Sequence, residues 1–194
     1  MCGRPLVPYR GSVRAAVDAA VVACIDRAAA STVRHWLATA NGAMAVYAGA
    51  PLAVPLLRAA GAVAPADWLF GLYAAVCHQM ASHSWFVAGY QMAYCQRNTA
   101  IYTTMLAAGL LYGRGRRSAP GLPLWLWALL ALPMVLDGGA ATLGLRDSTP
   151  LLRTLTGALF GAATVWLAYP QADRLLATLV GPARSPALVE RPAV

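Results

Sequence analysis

Lysine is absent from this chain: its 15 basic residues are all arginine, set against 7 acidic ones. Charge of either sign is scarce, at 11% of 194 residues, where a water-soluble domain usually carries about a quarter. Together with an apolar fraction of 59% and a mean hydropathy of +0.56, this excludes a disordered chain and a large soluble enzyme. Four cysteines are too few for a disulfide-dense secreted scaffold. No glycine-rich phosphate loop follows a strand pattern, no carboxylates are paired at a workable spacing, and no repeat has a fixed period. The basic stretch from Met1 to Arg14 is followed by Asp18 and Asp26 rather than an uninterrupted apolar core, so it is not expected to be a removed signal peptide. What remains is an integral membrane protein holding one helical bundle.

A net charge of +8 invites a nucleic-acid reading, but the arginines sit beside apolar runs rather than among stacking aromatics, and no nucleic-acid partner is expected. Crossing about 30 Å of hydrocarbon takes roughly 20 apolar helical residues. Four windows qualify: Trp36 to Leu57, about Ala93 to Gly113, Ser118 to Leu136 ending at Asp137, and from after Arg153 to about Pro170. Pro51, Pro55 and Pro133 are tolerable near the ends of such spans. Trp68 to Cys77 is apolar but short, with Asp67 as a plausible N-cap. Four spans with a cytoplasmic N-terminus place eleven arginines inside and four outside, whereas a fifth crossing at Trp68 to Cys77 makes the split eight to seven. The positive-inside rule favours four, with Trp68 to Cys77 as a short helix in the outer interface.

The expected fold is therefore all-α: a polytopic membrane bundle of about four transmembrane helices, with an N-terminal amphipathic helix and a short interfacial helix. Residues 1–35 form a cytoplasmic arm, 36–170 the bundle and 171–194 a cytoplasmic tail. The arm carries Val13, Val17, Val21, Cys24 and Ala28 at helical spacing, as a packing arm or a lipid-facing surface helix does. Both termini are expected in the cytoplasm of a prokaryote, the bundle in its cytoplasmic membrane. Gly109 and Gly113, and Gly157 and Gly161, are spaced for close helix packing.

This topology carries two distant polar clusters to one outer side. The first is Cys77-His78-Gln79, Ser82-His83-Ser84, Gln91 and Cys95-Gln96-Arg97-Asn98-Thr99; the second is Leu136-Asp137-Gly138-Gly139, Leu145-Arg146-Asp147-Ser148-Thr149 and Arg153. With Ser84-Trp85-Phe86, Gly89-Tyr90-Gln91 and Thr99-Ala100-Ile101-Tyr102, these motifs resemble the prokaryotic membrane proteins grouped as domain of unknown function 2085, over about Ala75 to Ala168. Two positions depart from the family pattern: Asn98 stands where a cysteine is usual, and His83 where an arginine is usual. The resemblance implies a helical membrane fold and no particular reaction.

Within the clusters, several chemistries compete. Cys77, His78, Cys95 and a cysteine at position 98 would make a family site resembling a Cys3His metal centre for a transition metal such as zinc or iron. Here His83 would have to replace the missing ligand, while adjacent Cys77 and His78 on a helix point about 100° apart. A disulfide between Cys77 and Cys95 or a pair of free buried thiols are the alternatives. Ionisable groups at membrane helix ends need partners, so Arg97 is expected to pair with Asp137. That pair either locks helices or belongs to a basic pocket of Arg97, Arg146 and Arg153 for an anionic headgroup or isoprenoid phosphate, with Gln79, Gln91 and Asn98 as hydrogen-bond partners. Ser84 with His83, or Cys77 with His78, are the nearest approach to a nucleophile and base. Three functions follow: a protein binding a metal, redox centre or anionic membrane lipid; a structural or assembly subunit with protein partners in a larger membrane complex; and a membrane-embedded enzyme acting on a lipid.

Overall fold

The computed structural model describes residues 10–115 and 120–180. Cys2, the Arg116-Arg117 pair and the tail from 181 onward, including Arg184 and Arg191, lie outside the described residues. Among the described residues, six α-helices and a β-hairpin follow in order: α1 (Arg10–Arg34), α2 (Trp36–Ala59), α3 (Val63–Tyr73), a 3-10 turn (Ala81–His83), β1 (Ser84–Val87), β2 (Tyr90–Cys95), α4 (Gln96–Gly115), α5 (Leu124–Thr142) and α6 (Pro150–Val180). The chain divides into a first unit ending at Thr39 and a second beginning at Ala40. In the first, α1 is a continuous helix whose Val17, Val21, Val22, Cys24 and Ile25 are exposed. The Val13 and Ala28 side chains of the expected apolar stripe lie outside the described residues.

In the second unit, α2, α5 and α6 are long and apolar enough to cross a membrane. The remaining expected span is α4, which has 20 residues but carries Gln96, Arg97 and Asn98 in its first turn and Arg114 in its last. At 11 residues α3 is too short to cross, given that roughly 20 are needed. Leu110, Leu111, Leu129, Leu132, Val135, Leu155 and Leu159 are exposed on the bundle surface, as side chains that meet acyl chains must be.

Glycines close the helix ends. Gly61 (φ +79°) ends α2 in a Schellman turn, with the Ala62 N–H donating to the Leu57 carbonyl at 2.9 Å and the Gly61 N–H to Arg58 at 3.0 Å. Gly144 (φ +69°) ends α5 in the same way through Leu145 N–H to Ala140 O at 2.9 Å. Thr149 then caps α6, its Oγ1 accepting the Leu152 N–H at 3.2 Å, and Pro150 occupies the first helical position, where no N–H is required.

Helix α5 begins at Leu124 rather than Ser118, and α6 runs from Pro150, ahead of Arg153, past Pro170 to Val180 and so into the expected tail. Three further boundaries differ from the sequence expectation, each for a physical reason. The short helix starts at Val63, not after Asp67, because Asp67 is taken by Arg58 at 2.7 Å and caps nothing. Helix α5 runs through Asp137 to Thr142, since that carboxylate is fully partnered inside the bundle. Residues 84–95 form an antiparallel hairpin, so the helix expected from about Ala93 starts at Gln96. Phe86 faces Gln91 and Val87 faces Tyr90 across a two-residue turn in which Ala88 and Gly89 both have positive φ (50° and 81°), the I′ geometry that matches strand twist.

The bundle is pinned by close backbone approach. A methyl group added at Gly157 would lie 2.8 Å from the Arg97 carbonyl oxygen, and one at Gly161 would overlap the Ile101 carbonyl, so these two glycines let α4 lie directly on α6. At the opposite end from the polar clusters, Tyr112 Oη lies 2.5 Å from Asp173 Oδ2 and the Leu122 N–H donates to Trp166 O at 3.1 Å. A second core joins α2, α3, β2 and α4 through Tyr47, Tyr73, Tyr94 and Tyr102, whose ring centroids lie 4.8–5.9 Å apart in the contacting pairs. Edge-on and stacked ring contacts of this kind contribute about 0.5–1.5 kcal/mol each beyond burial.

Replacing Gly161 by leucine is expected to cost about 1–3 kcal/mol by overpacking. Thermal unfolding followed by circular dichroism in detergent should show a lower Tm for Gly161→Leu and no loss for Gly49→Ala, whose surroundings are open.

Candidate functional site

The start of α4, the end of α5 and the start of α6 meet at one end of the bundle. Asp137 is 6% exposed. Its Oδ2 accepts Arg97 Nη2 at 2.5 Å and Ser148 Oγ at 2.7 Å, and its Oδ1 accepts Arg146 Nη2 at 3.1 Å. Gly138 makes room for this arrangement, because a methyl group there would come within 3.0 Å of Arg97 Nη1. Arg97 thus pairs with Asp137 across 40 residues of sequence, while its buried Nε–H has no hydrogen-bond partner among the described residues.

Arg153, in the first turns of α6, is only 5% exposed and donates from Nη1 to Gln96 Oε1 at 3.2 Å. Gln96 is neutral, and among the described residues no carboxylate lies within ion-pair distance of Arg153. A buried guanidinium without a counter-charge is costly.

Beside these arginines opens a cleft of about 500 Å³. Its wall comprises Val76, Cys77, His78, Gln79, Met80, His83, Cys95, Arg97, Asn98, Gly138, Ala141, Thr142 and Arg153, and contains no carboxylate. The expected residues Cys77, His78, Gln79, His83, Cys95, Arg97, Asn98 and Arg153 are therefore gathered here. Arg146, with its side chain 60% exposed, and Gln91 lie outside the wall, and Asp137 is buried against Arg97.

The glutamine amides brace the wall. Gln79 holds a positive φ of 50° and donates from Nε2 to Phe70 O at 2.7 Å and Ala93 O at 3.1 Å. Gln91 Nε2 donates in turn to the Gln79 carbonyl at 2.6 Å and to Ser84 Oγ at 3.1 Å. These bonds tie the loop after α3 to the hairpin, and Asn98 Nδ2 ties it to α4 through Val76 O at 3.1 Å.

Cys77 and Cys95 are both free thiols, and the Cys95 backbone N–H donates to Cys77 Sγ at 3.2 Å. The Cys77 thiol is pulled down to about 6, first by a hydrogen bond from the Cys95 side chain and further by the Gln79 and Cys95 backbone and the Asn98 amide, against the opposing effect of burial. The same bond, with burial, pushes Cys95 up. His83 is pushed down by burial and by Arg153 and Arg97, with Asp147 opposing. Among the described residues, no three side chains of the His, Cys, Asp or Glu type lie together as a metal-holding group, so His78 and His83 share the cleft with the two sulfurs without completing a ligand set.

Three features escaped the sequence. Gln96 as partner of Arg153 and Ser148 as partner of Asp137 were signalled only by adjacency to charged residues in polar motifs. The tyrosine quartet, drawn from four separate elements, has no spacing that links its members.

Fold and site define a polytopic helical membrane protein with an arginine-lined cleft at one end of its bundle. The family model described as "Predicted membrane protein (DUF2085)" matches residues 77–167, which contain most of that cleft. An uncharacterized protein of Methanocaldococcus jannaschii is 33% identical over 106 residues, covering 53% of this chain and 67% of that relative. The chain belongs to the DUF2085 family. No solved structure matches it.

Removing the Asp137 carboxylate should be the most damaging single change at this end of the bundle. Asp137→Ala is expected to cost about 3–5 kcal/mol by leaving buried charge uncompensated. A double-mutant cycle with Arg97→Ala, read by unfolding in detergent, should return a coupling of at least about 1 kcal/mol.

Proposed function

We propose that the protein binds the anionic headgroup of a membrane lipid, through a phosphate-type group, in a cleft facing the outer side of the prokaryotic cytoplasmic membrane, with both termini in the cytoplasm. The observation that carries this reading is Arg153: a buried cation at the edge of a carboxylate-free cleft, whose hydrogen-bond partner among the described residues is a neutral amide. An anionic group there would supply the missing counter-charge beside Arg97, which lines the same cleft. A charge-assisted hydrogen bond of this kind contributes about 1.5–3 kcal/mol. The cleft volume of about 500 Å³ falls within the usual range for small-molecule sites, roughly 300–1,000 Å³. The orientation is supported by arginine placement, eleven on the proposed inner side against four on the outer when α4 is counted as a span.

A second reading, a structural subunit of a larger membrane complex, is favoured by the Asp137 network, whose bonds all close within the chain and hold α4, α5 and α6 together. A partner that co-purifies equally with wild-type and Arg153→Gln protein would support it.

Lipid retention in nanodiscs separates the readings. Native mass spectrometry of the full chain should show phosphatidylglycerol retained over phosphatidylcholine, with Arg153→Gln weakening retention about tenfold, or about 1.4 kcal/mol. Arg58→Gln, at the surface pair with Asp67, should leave it unchanged. Equal phosphatidylglycerol retention by wild type and Arg153→Gln overturns the proposal.

Orientation is tested independently in a background with all four cysteines replaced by serine. Single cysteines at Ala88 and Leu143 should react with an impermeant maleimide in intact cells, and one at Gly115 only after lysis. Labelling of Ala88 and Leu143 on opposite sides would remove the outer-facing cleft.

A further inference from the structure

Two sulfurs from distant parts of the chain meet in the cleft wall, and the lipid reading uses neither. Cys77 comes from the loop after α3 and Cys95 from the last position of β2. Their meeting is enforced by the same bonds that brace the wall: Gln79 to Phe70 and Ala93 on one side, and Asn98 to Val76 on the other. Cys77 Sγ accepts the Cys95 backbone N–H at 3.2 Å, and both residues line the open cleft. Thiols kept only for packing sit in apolar surroundings and are inert, whereas reactive ones sit among donors and cations. Here the sulfur shares its cleft with Arg97 and Arg153 and receives backbone donors.

We infer that Cys77 and Cys95 form a dithiol–disulfide couple that exchanges with a disulfide-containing substrate entering the cleft, Cys77 as the attacking sulfur and Cys95 as the resolving one. The Cys77 thiolate attacks one sulfur of the substrate disulfide R–S–S–R′. A Cys77–S–S–R bond forms as the substrate S–S bond breaks, and R′S⁻ leaves and is protonated. Cys95 then gives up its proton to the departing thiolate or to water and attacks the Cys77 sulfur. The Cys77–Cys95 bond forms as R–S⁻ leaves. The substrate has gained two electrons and two protons as two thiols, and the protein pair has lost them. In reverse, the bridged pair oxidises a dithiol. Cys77, held well below the ordinary thiol range, is the better leaving group, so the protein disulfide passes on readily.

The inference stands apart from the lipid reading, and its test uses the full chain in detergent with Cys2 and Cys24 replaced by serine. Oxidised glutathione is the probe substrate. Peptide mass spectrometry should show a reversible loss of about 2 Da joining Cys77 to Cys95, restored by dithiothreitol. Cys95→Ser should accumulate a glutathione mixed disulfide on Cys77, and Cys77→Ser should react at least tenfold more slowly. Iodoacetamide alkylation of Cys77 should titrate near 6, against about 8.5 for a free cysteine. The groups facing that titration are His78 beside Cys77, Cys95 from β2, His83 from the 3-10 turn, Arg97 and Tyr102 from α4 and Arg153 from α6. Folded chain carrying only Cys77 and Cys95 in which oxidised glutathione leaves both thiols unmodified, or in which Cys77 titrates above about 8, overturns the inference. The thiol reactions are read in detergent without added lipid, and phosphatidylglycerol retention is read with both thiols reduced and unmodified, so either proposal can fail without the other.

Discussion

One buried carboxylate organises this end of the molecule. Asp137 lies inside an apolar helix, where an isolated ion would be strongly disfavoured, and it is stabilised by donors from α4 and from the segment joining α5 to α6. Three helices are thereby held at a fixed level relative to one another. Asp137 serves both Arg97 and Arg146, and among the described residues no acid lines the cleft wall beside Arg153. The electrostatic character of the cleft follows from that distribution: positive charge has been brought in and only partly balanced.

Packing makes the electrostatic arrangement available. Gly157 and Gly161 let α6 press against the α4 backbone at Arg97 and Ile101, which brings Arg153 within reach of Gln96. Gly138 leaves the space into which the Arg97 guanidinium extends. On the other flank, the tyrosine quartet and the Gln79 and Gln91 amides fasten α3, the hairpin and α4 into one wall. The cleft lies where the glycine-mediated contact and the aromatic contact adjoin, and changing either would move charged groups as well as apolar ones.

Much of this was legible in the sequence because charge is so scarce. Apolar windows bounded by arginine located the long helices, and the helical hairpin expected between residues 77–99 and 137–153 brings both stretches to one end of the bundle. With few acids available, Arg97 had Asp137 as its natural partner. Local chemistry was harder to read. The hairpin lacks an Asn-Gly or Asp-Gly turn, using Ala88 and Gly89 instead, and strand pairing depends on contacts that no single window contains. Asp67 had the look of a helix cap until Arg58 claimed it, and Asp137 the look of a helix end until its partners allowed the helix to continue. In each case a tertiary contact outweighed a local preference. The roles of Gln79 and Gln91 show the same limit: residue type announced a hydrogen bond, but only the fold showed that it is used to brace the wall.

The last helix is longer than any bilayer requires. At 31 residues and 1.5 Å per residue, α6 extends about 46 Å, against roughly 30 Å of hydrocarbon. The excess of about 16 Å is some three turns, comparable with the headgroup regions that flank the hydrocarbon. Pro170, packed against Gly121, precedes Asp173 and Arg174 toward its C-terminal end. The helix therefore outlasts the apolar layer that its composition fits, with one end fixed among the arginines and the other held to α4 where Tyr112 meets Asp173.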